Sequence, residues 1–491
     1  MLILRLTKPP VVAAVVLMLT TVAGAQPPPG ALAASRLSDQ VTRTVSAAQA
    51  AGYPVSAQDI LGKPPPPSEN AAIAVYARWH ALVTVSRLVS SLDEQMMTDA
   101  SRANATPEQI SAAQSVLINK REAFDVIHSA SQYKSCVFEK DYSRGPLTLF
   151  SELTDMRVMT RFLMAESSIL LHEGKPALAA RTASIGFNIS SHCAQVPGTL
   201  AAQVSYVIDS ITLKQLENIL TGAPDDISCR DAVQQAIADR EPSERPTSAL
   251  HTSLAMAIIE AGLMRISDDR LSQIVGQHDG NIIDLLNSIV VTDGDSPVGA
   301  LNDEVKPASL PVMNVAPPYS SKQNYGQWVD TNELVALSFL RPVVDASVRP
   351  FDERMAAATS AVSSIAAMVV QEIQRQSKSG PSATPLAALN CEVVYNFIRQ
   401  RGDDYVEARA ADLKTALQLF AYRAQHGQFP DNLIEASPQP PIDPFDGRPI
   451  KYRKEDKGFV LYAVGRNHNF DGGIPAKPLP LDEAAMRYQM P

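Results

Sequence analysis

The sequence predicts a mainly α-helical protein: an irregular multi-helix body, followed by a small α+β unit made of a helix and a β-hairpin. Three observations predict it. Apolar residues recur at three- and four-residue steps along most of the chain from Ala71 onward. Hydrophobic residues make up 45% and aromatics only 6%, an aliphatic balance that favours helices over sheets. Only in the last hundred or so residues does the pattern switch to short strand-like runs separated by Pro, Gly and Asp.

In chain order, the first 25 residues read as a secretory signal. Arg5 and Lys8 are its only charges, an apolar run spans Val11 to Val22, and Ala23-Gly24-Ala25 is a small-x-small cleavage site. The run is shorter than the roughly 20 residues that cross a bilayer, so cleavage after Ala25 is expected rather than retention as an anchor. Losing Arg5 and Lys8 takes the net charge from −9 to −11. An acidic chain with interspersed charges has no electrostatic footprint for nucleic acid. No later segment is apolar enough for stable membrane insertion. A periplasmic or secreted location is therefore expected.

Residues 26–70 are Pro- and Ala-rich and end in a proline run, Pro64 to Pro67, the signature of a stiff, extended linker. This segment is expected to be weakly ordered, with one short helix near Leu32 to Ala51. Residues 71–376 form the helical domain. Ile73, Trp79, Val83 and Leu88 open it at helical spacing. Thr106-Pro107-Glu108-Gln109 is a helix start, with a capping Thr and a Pro in the first turn. Helices are expected at 148–173, from Pro176 to Cys193, from Thr199 to Thr221, and at about 226–240, 246–266, 281–291, 331–345 and 351–376. Asp293 to Tyr325 reads as a long loop and 377–385 as a linker. Residues 386–491 carry the long helix and the hairpin.

Glu173-Gly174-Lys175-Pro176 connects two helices too tightly for anything but an antiparallel hairpin. The pattern Leu170, Gly174, Ala177 and Ala180 resembles one helical hairpin of the tetratricopeptide type, its small residues letting the helices approach closely. No second copy follows at a fixed period, so the resemblance implies a hairpin and not a solenoid.

Cys136, Cys193, Cys229 and Cys391 form no CxxC motif. In an oxidising compartment they are either two disulfides or buried free thiols. The expected hairpin geometry favours pairing Cys136 with Cys193, which leaves Cys229 with Cys391.

At the C-terminus, Val406, Ala410, Leu413, Leu417, Phe420 and Ala424 form one apolar stripe that Gly427 ends. Strand-like runs follow from Pro449 to Arg453 and from Phe459 to Val464, joined by a turn at Glu455 to Gly458. An isolated hairpin is marginal, so it is expected to pack on the stripe through Tyr452, Phe459 or Leu461. The residues His426, Gly427, Pro430, Asp443, Pro444, Gly447, Pro449, Tyr452, Tyr462, Gly465, Asn467 and Gly472 follow one another in a set order. Over about 410–475 this order resembles the C-terminal domain of the major pseudopilin of type II secretion. The N-terminal processing site and membrane helix of that family have no counterpart here, so the resemblance implies the fold and not filament assembly. The whole layout resembles exported bacterial proteins that fuse a helical body to such a tail, and that supplies no activity. The family resemblance also implies calcium in the C-terminal loop, where Asn467, Asn469 and Asp471 alternate as oxygen donors.

Motifs of catalysis are sparse. The chain contains no HExxH, GxSxG or GxxxxGK[ST]. Ser131 and Lys134 have SxxK spacing without the partner motifs of serine–lysine enzymes. His192 and Cys193 are neighbours that point apart on a helix, and His80, His172 and His251 read as packed or surface residues. Glu152, Asp155 and Glu166 share one helical face, which reads as solvated. The sequence therefore favours a non-enzymatic envelope or secreted interaction or scaffold protein with a protein or peptide partner and no catalytic residues. A hydrolase of cell-wall or polysaccharide material and an accessory component of a secretion or surface apparatus are the alternatives.

Overall fold

Several helix starts follow capping residues of the sequence, among them Ser90, Thr106 and Asp226. The structure is a computed structural model that describes residues 31–102, 105–143, 150–240, 245–266, 322–347, 349–361, 402–465 and 485–489. Helix α1 (Ala31–Ala50) and α2 (Ala57–Leu61) lie in the segment expected to be weakly ordered. Here α1 packs on α12 (Lys322–Ala346), with Val41 and Ala48 buried, and Tyr53 Oη donates to Asp345 at 2.5 Å. Helix α3 (Ala77–His80) is bracketed by π-helical turns at Ala72–Tyr76 and Ala81–Val85. Then come α4 (Ser91–Ala100), α5 (Pro107–Asn119) and α6 (Arg121–His128). Thr106 caps α5 in a complete capping box with Gln109, as the sequence predicts. Helix α5 breaks at Lys120, whose φ of −118° and ψ of 28° are not helical, and α6 starts directly after it.

The centre is an antiparallel stack of α7 (Glu152–His172), α8 (Pro176–Ala194) and α9 (Thr199–Gly222). Gly174, at φ 73°, turns the chain between α7 and α8. Lys175 N donates to Leu170 O and Gly174 N to Leu171 O, which closes the end of α7 as a Schellman motif. Helices α8 and α9 approach closely at Gly186, where a Cβ would lie 2.2 Å from Thr212 Oγ1. Helices α10 (Ile227–Asp239) and α11 (Arg245–Ile266) cover this stack, α11 meets α12, and a further helix, α13, spans 351–361.

The long helix α14 (Gly402–His426) lies on α9 and α10. Gly427, at φ 77°, ends it where the sequence places the stop. After the short α15 (Leu433–Ala436), three antiparallel strands form a sheet in the order β1 (Lys451–Glu455), β2 (Gly458–Tyr462), β3 (Ala485–Gln489). The sequence shows β1 and β2; β3 is an addition. Its burial alternates, with Met486 and Tyr488 inward, but five residues are too few to announce a strand. Phe459 and Leu461 are fully buried, and β2 and β3 both rest on α14 as expected of the hairpin. A Cβ at Gly458 would lie 1.8 Å from Tyr488 O, a backbone atom that cannot move without parting β2 from β3. Gly458→Ala is therefore expected to cost on the order of 3 kcal/mol. An unchanged urea midpoint would refute that contact.

Among the described residues no helix is long and apolar enough to cross a membrane. The signal, the segment 281–291, the 293–325 loop and the 377–385 linker lie partly or wholly outside the described residues.

Candidate functional site

The three carboxylates read from sequence as a solvated face do share a face of α7, but that face is covered. Each meets a base from another segment. Glu152 takes Lys140 at 2.8 Å, Asp155 takes His80 at 3.2 Å, and Glu166 takes His128 at 2.6 Å. Glu152 and Glu166 are buried, and their neighbours along α7 include buried Leu153, Met156, Met159, Phe162, Leu163 and Ile169. Arg157, Thr160 and Ser167 of α7 are buried as well, so other segments cover much of this helix, polar residues included.

The group around Asp155 has the most chemistry. His80 directs Nδ1 to Asp155 Oδ2, and its Nε2 lies 3.4 Å from the Thr84 hydroxyl. A carboxylate cannot donate, so Nδ1 carries a proton, and in the neutral form of the ring Nε2 accepts from Thr84. The order is hydroxyl, imidazole, carboxylate. The second π-helical turn carries Thr84, and such turns are rare and often found at functional sites. Burial raises the pKa of Asp155, while bonds from His80 and the Trp79 side chain oppose the rise. Glu94 on α4 is raised by burial, with the charge of Asp155 adding to it. Burial, with Arg157 nearby, brings Arg161 down to about 10. The arrangement can hold a base beside a hydroxyl, although His80 is 58% exposed and so weakly shielded from water.

His128 is the other histidine on this face. Its hydrogen bond to Glu166 raises its pKa despite partial burial. Ser131 and Lys134 are exposed and do not come together as a site: Ser131 Oγ donates to the His128 carbonyl, and the Lys134 carbonyl accepts from Gln195. His172 is exposed, and His251 stacks 4.8 Å from the Tyr53 ring.

The cysteine expectation is corrected. Cys136, Cys193 and Cys229 are buried free thiols, so Cys136 and Cys193 are not bridged. Cys193 Sγ donates to Ala201 O at 3.2 Å, and Cys229 Sγ points at Ile219 O, so both thiols face backbone carbonyls rather than a second sulfur. Burial, with Cys193 nearby, raises the Cys136 thiol well above the usual range, which makes it a poor thiolate. Cys391 and the calcium candidates Asn467, Asn469 and Asp471 lie outside the described residues. Among the described residues no group of three or more His, Cys, Asp or Glu side chains is placed to hold a metal ion.

Comparisons with protein-family models, with curated proteins and with solved structures return no match to this chain.

Proposed function

We propose that this is an exported, non-enzymatic interaction or scaffold protein whose pseudopilin-like tail is keyed into a helical body to present one fixed surface to a protein or peptide partner. The supporting observation is the buried ionic joint between tail and body. Arg409 on α14 pairs with Glu217 on α9 and donates to Ala485 O at the start of β3. Arg240 bridges Asp209 at 3.3 Å and Glu407 at 2.7 Å, and Arg354 pairs with Asp404. Such pairs add little stability over apolar residues but fix one arrangement among alternatives, a use suited to a scaffold. The tetratricopeptide-like reading of the α7–α8 hairpin and the pseudopilin-like reading of the tail belong to this proposal. They rest on helix, loop and hairpin order.

The Thr84–His80–Asp155 array favours a second reading, a hydrolase of cell-wall or polysaccharide material. One experiment separates the two. The full chain and Asp155→Asn are incubated with cell-wall polymer, and soluble fragments are measured beside a crosslinked pull-down from the envelope. The scaffold reading expects no turnover by either protein and saturable enrichment of a defined protein set. Turnover that falls by about 10²-fold or more in Asp155→Asn would replace it with the hydrolase. Recovery of a secretion complex would instead make the protein an accessory of that apparatus.

A further inference from the structure

Residues 133–138 run as an extended stretch between α6 and α7, and polar side chains hold them from both sides. Asn70 accepts from Val137 N and donates to Val137 O, both at 2.9 Å. Gln195 accepts from Cys136 N at 2.9 Å and donates to Lys134 O at 2.8 Å. Ala71 N adds a bond to Ser135 O at 2.8 Å. These are backbone groups satisfied one by one, with no continuous ladder behind them.

His192 sits at the centre of this clamp and is 1% exposed. Its Nε2 lies 2.8 Å from Tyr133 O, and its Nδ1 lies 2.9 Å from Tyr76 Oη. A carbonyl only accepts, so Nε2 carries the proton and Nδ1 accepts from the tyrosine hydroxyl. The ring is neutral, with both nitrogens used. The Tyr76 ring stands edge-on to it, with centroids 5.8 Å apart, and Phe138 packs on Tyr76. The titratable groups bearing on the cluster are Tyr76 from the first π-helical turn, Cys136 from the clamped stretch and Cys193 from α8 itself. Glu152 of α7 acts on Cys136 and is ion-paired to Lys140. Helix α9 faces α8 here with neutral groups, the carbonyls of Ala201 and Ser205. Burial lowers the ring's pKa below the ordinary histidine value, against the Tyr133 bond, which raises it.

We infer that His192 is an acid-sensitive latch: uptake of a proton at Nδ1 reverses its bond with Tyr76 and puts a charge at the buried centre of the clamp, which frees residues 133–138 from Asn70 and Gln195 and uncovers Cys136. The sign follows from the two states. The closed ring resists protonation, whereas the opened ring titrates near the free value of about 6.5. Below that pH the opened form alone takes up a proton. Its share rises about tenfold per pH unit until the closed ring titrates as well.

The test uses the full reduced chain and 4,4′-dithiodipyridine between pH 7.5 and 5.0. Labelling of Cys136 is read by peptide mapping, and each rate is divided by that of the unfolded chain at the same pH. The relative rate is expected to be flat down to about pH 6.5 and then to climb about tenfold per unit while the far-UV helix signal is unchanged. His192→Gln, whose amide can make both bonds without titrating, is expected to stay flat. If His192→Gln does not fold, Tyr76→Phe replaces it. That change removes the donor that holds the closed ring and is expected to raise the relative rate above about pH 6.5 while leaving the onset of the climb where it is. A flat wild-type profile, the same climb in His192→Gln, an unraised rate above about pH 6.5 in Tyr76→Phe, or a climb that coincides with loss of helix signal would each overturn the latch.

Discussion

Arg409→Ala is expected to destabilise the protein by about 3–5 kcal/mol, because it leaves a carboxylate buried without its partner. Arg409 and Glu217 are each 9% exposed at the side chain. Their contact joins α14 to α9, and the same guanidinium reaches Ala485 O at 2.5 Å. Burial pulls the Arg409 pKa down, and Glu217 with its neighbours more than restores it, so the ion is held charged by its surroundings. Lys214 Nζ also lies 2.8 Å from Glu217, but it is 52% exposed and cannot replace a buried fork. Urea unfolding followed by circular dichroism measures the loss. Arg409→Met paired with Glu217→Met is expected to lose far less, since the charge and its partner leave together. A loss below about 1 kcal/mol in Arg409→Ala would show that the joint does not hold the tail.

Local chemistry was legible in the sequence and distant pairing was not. Thr106 with Gln109, Gly174 and Gly427 each act within a few residues, and each ends or starts a helix where the sequence places it. The stripe from Val406 to Phe420 is likewise buried, because a helical period is set by neighbours three and four apart. The candidate site depends on separations that periodicity does not encode. His80 meets Asp155 across 75 residues, and His128 meets Glu166 across 38. The sequence shows three acids on one face of α7 but not the bases that arrive from α3, α6 and the stretch before α7. The π-helical turns around α3 are invisible for another reason. They shift the helical phase by one residue without changing composition, so Ile73, Trp79 and Val83 still fit a helix. The cysteine expectation followed correctly from hairpin geometry to the neighbourhood of Cys136 and Cys193, since each bears on Tyr76. It failed at the last step, because the direction of a thiol depends on which carbonyl it meets.

Phe420→Ala tests the other half of the tail's attachment, and the expected cost is again about 3–5 kcal/mol. Phe420 is 1% exposed on the inner face of α14. Its ring centroid lies 4.8 Å from Tyr488, 5.6 Å from Phe459 and 6.0 Å from Phe429, all at steep angles. Phe429 and Phe459 are themselves 5.1 Å apart, so one ring from the helix is enclosed by rings from the loop, β2 and β3. Edge-to-face contacts of this kind add about 0.5–1.5 kcal/mol each beyond area burial, and they disappear together when the central ring is removed. Phe420→Leu keeps most of the volume and is expected to lose under half as much. The difference between the two variants isolates the cavity from the ring geometry. Unlike the Arg409 effect, the Phe420 effect is expected to be insensitive to salt, because no charge is uncovered. If Phe420→Ala and Arg409→Ala are combined, their costs are expected to fall short of additivity. Both act on β3, one through Tyr488 and one through Ala485 O, and a strand released by the first change cannot be released again by the second. Full additivity in urea unfolding would mean that the ionic joint and the aromatic cluster hold separate parts of the tail.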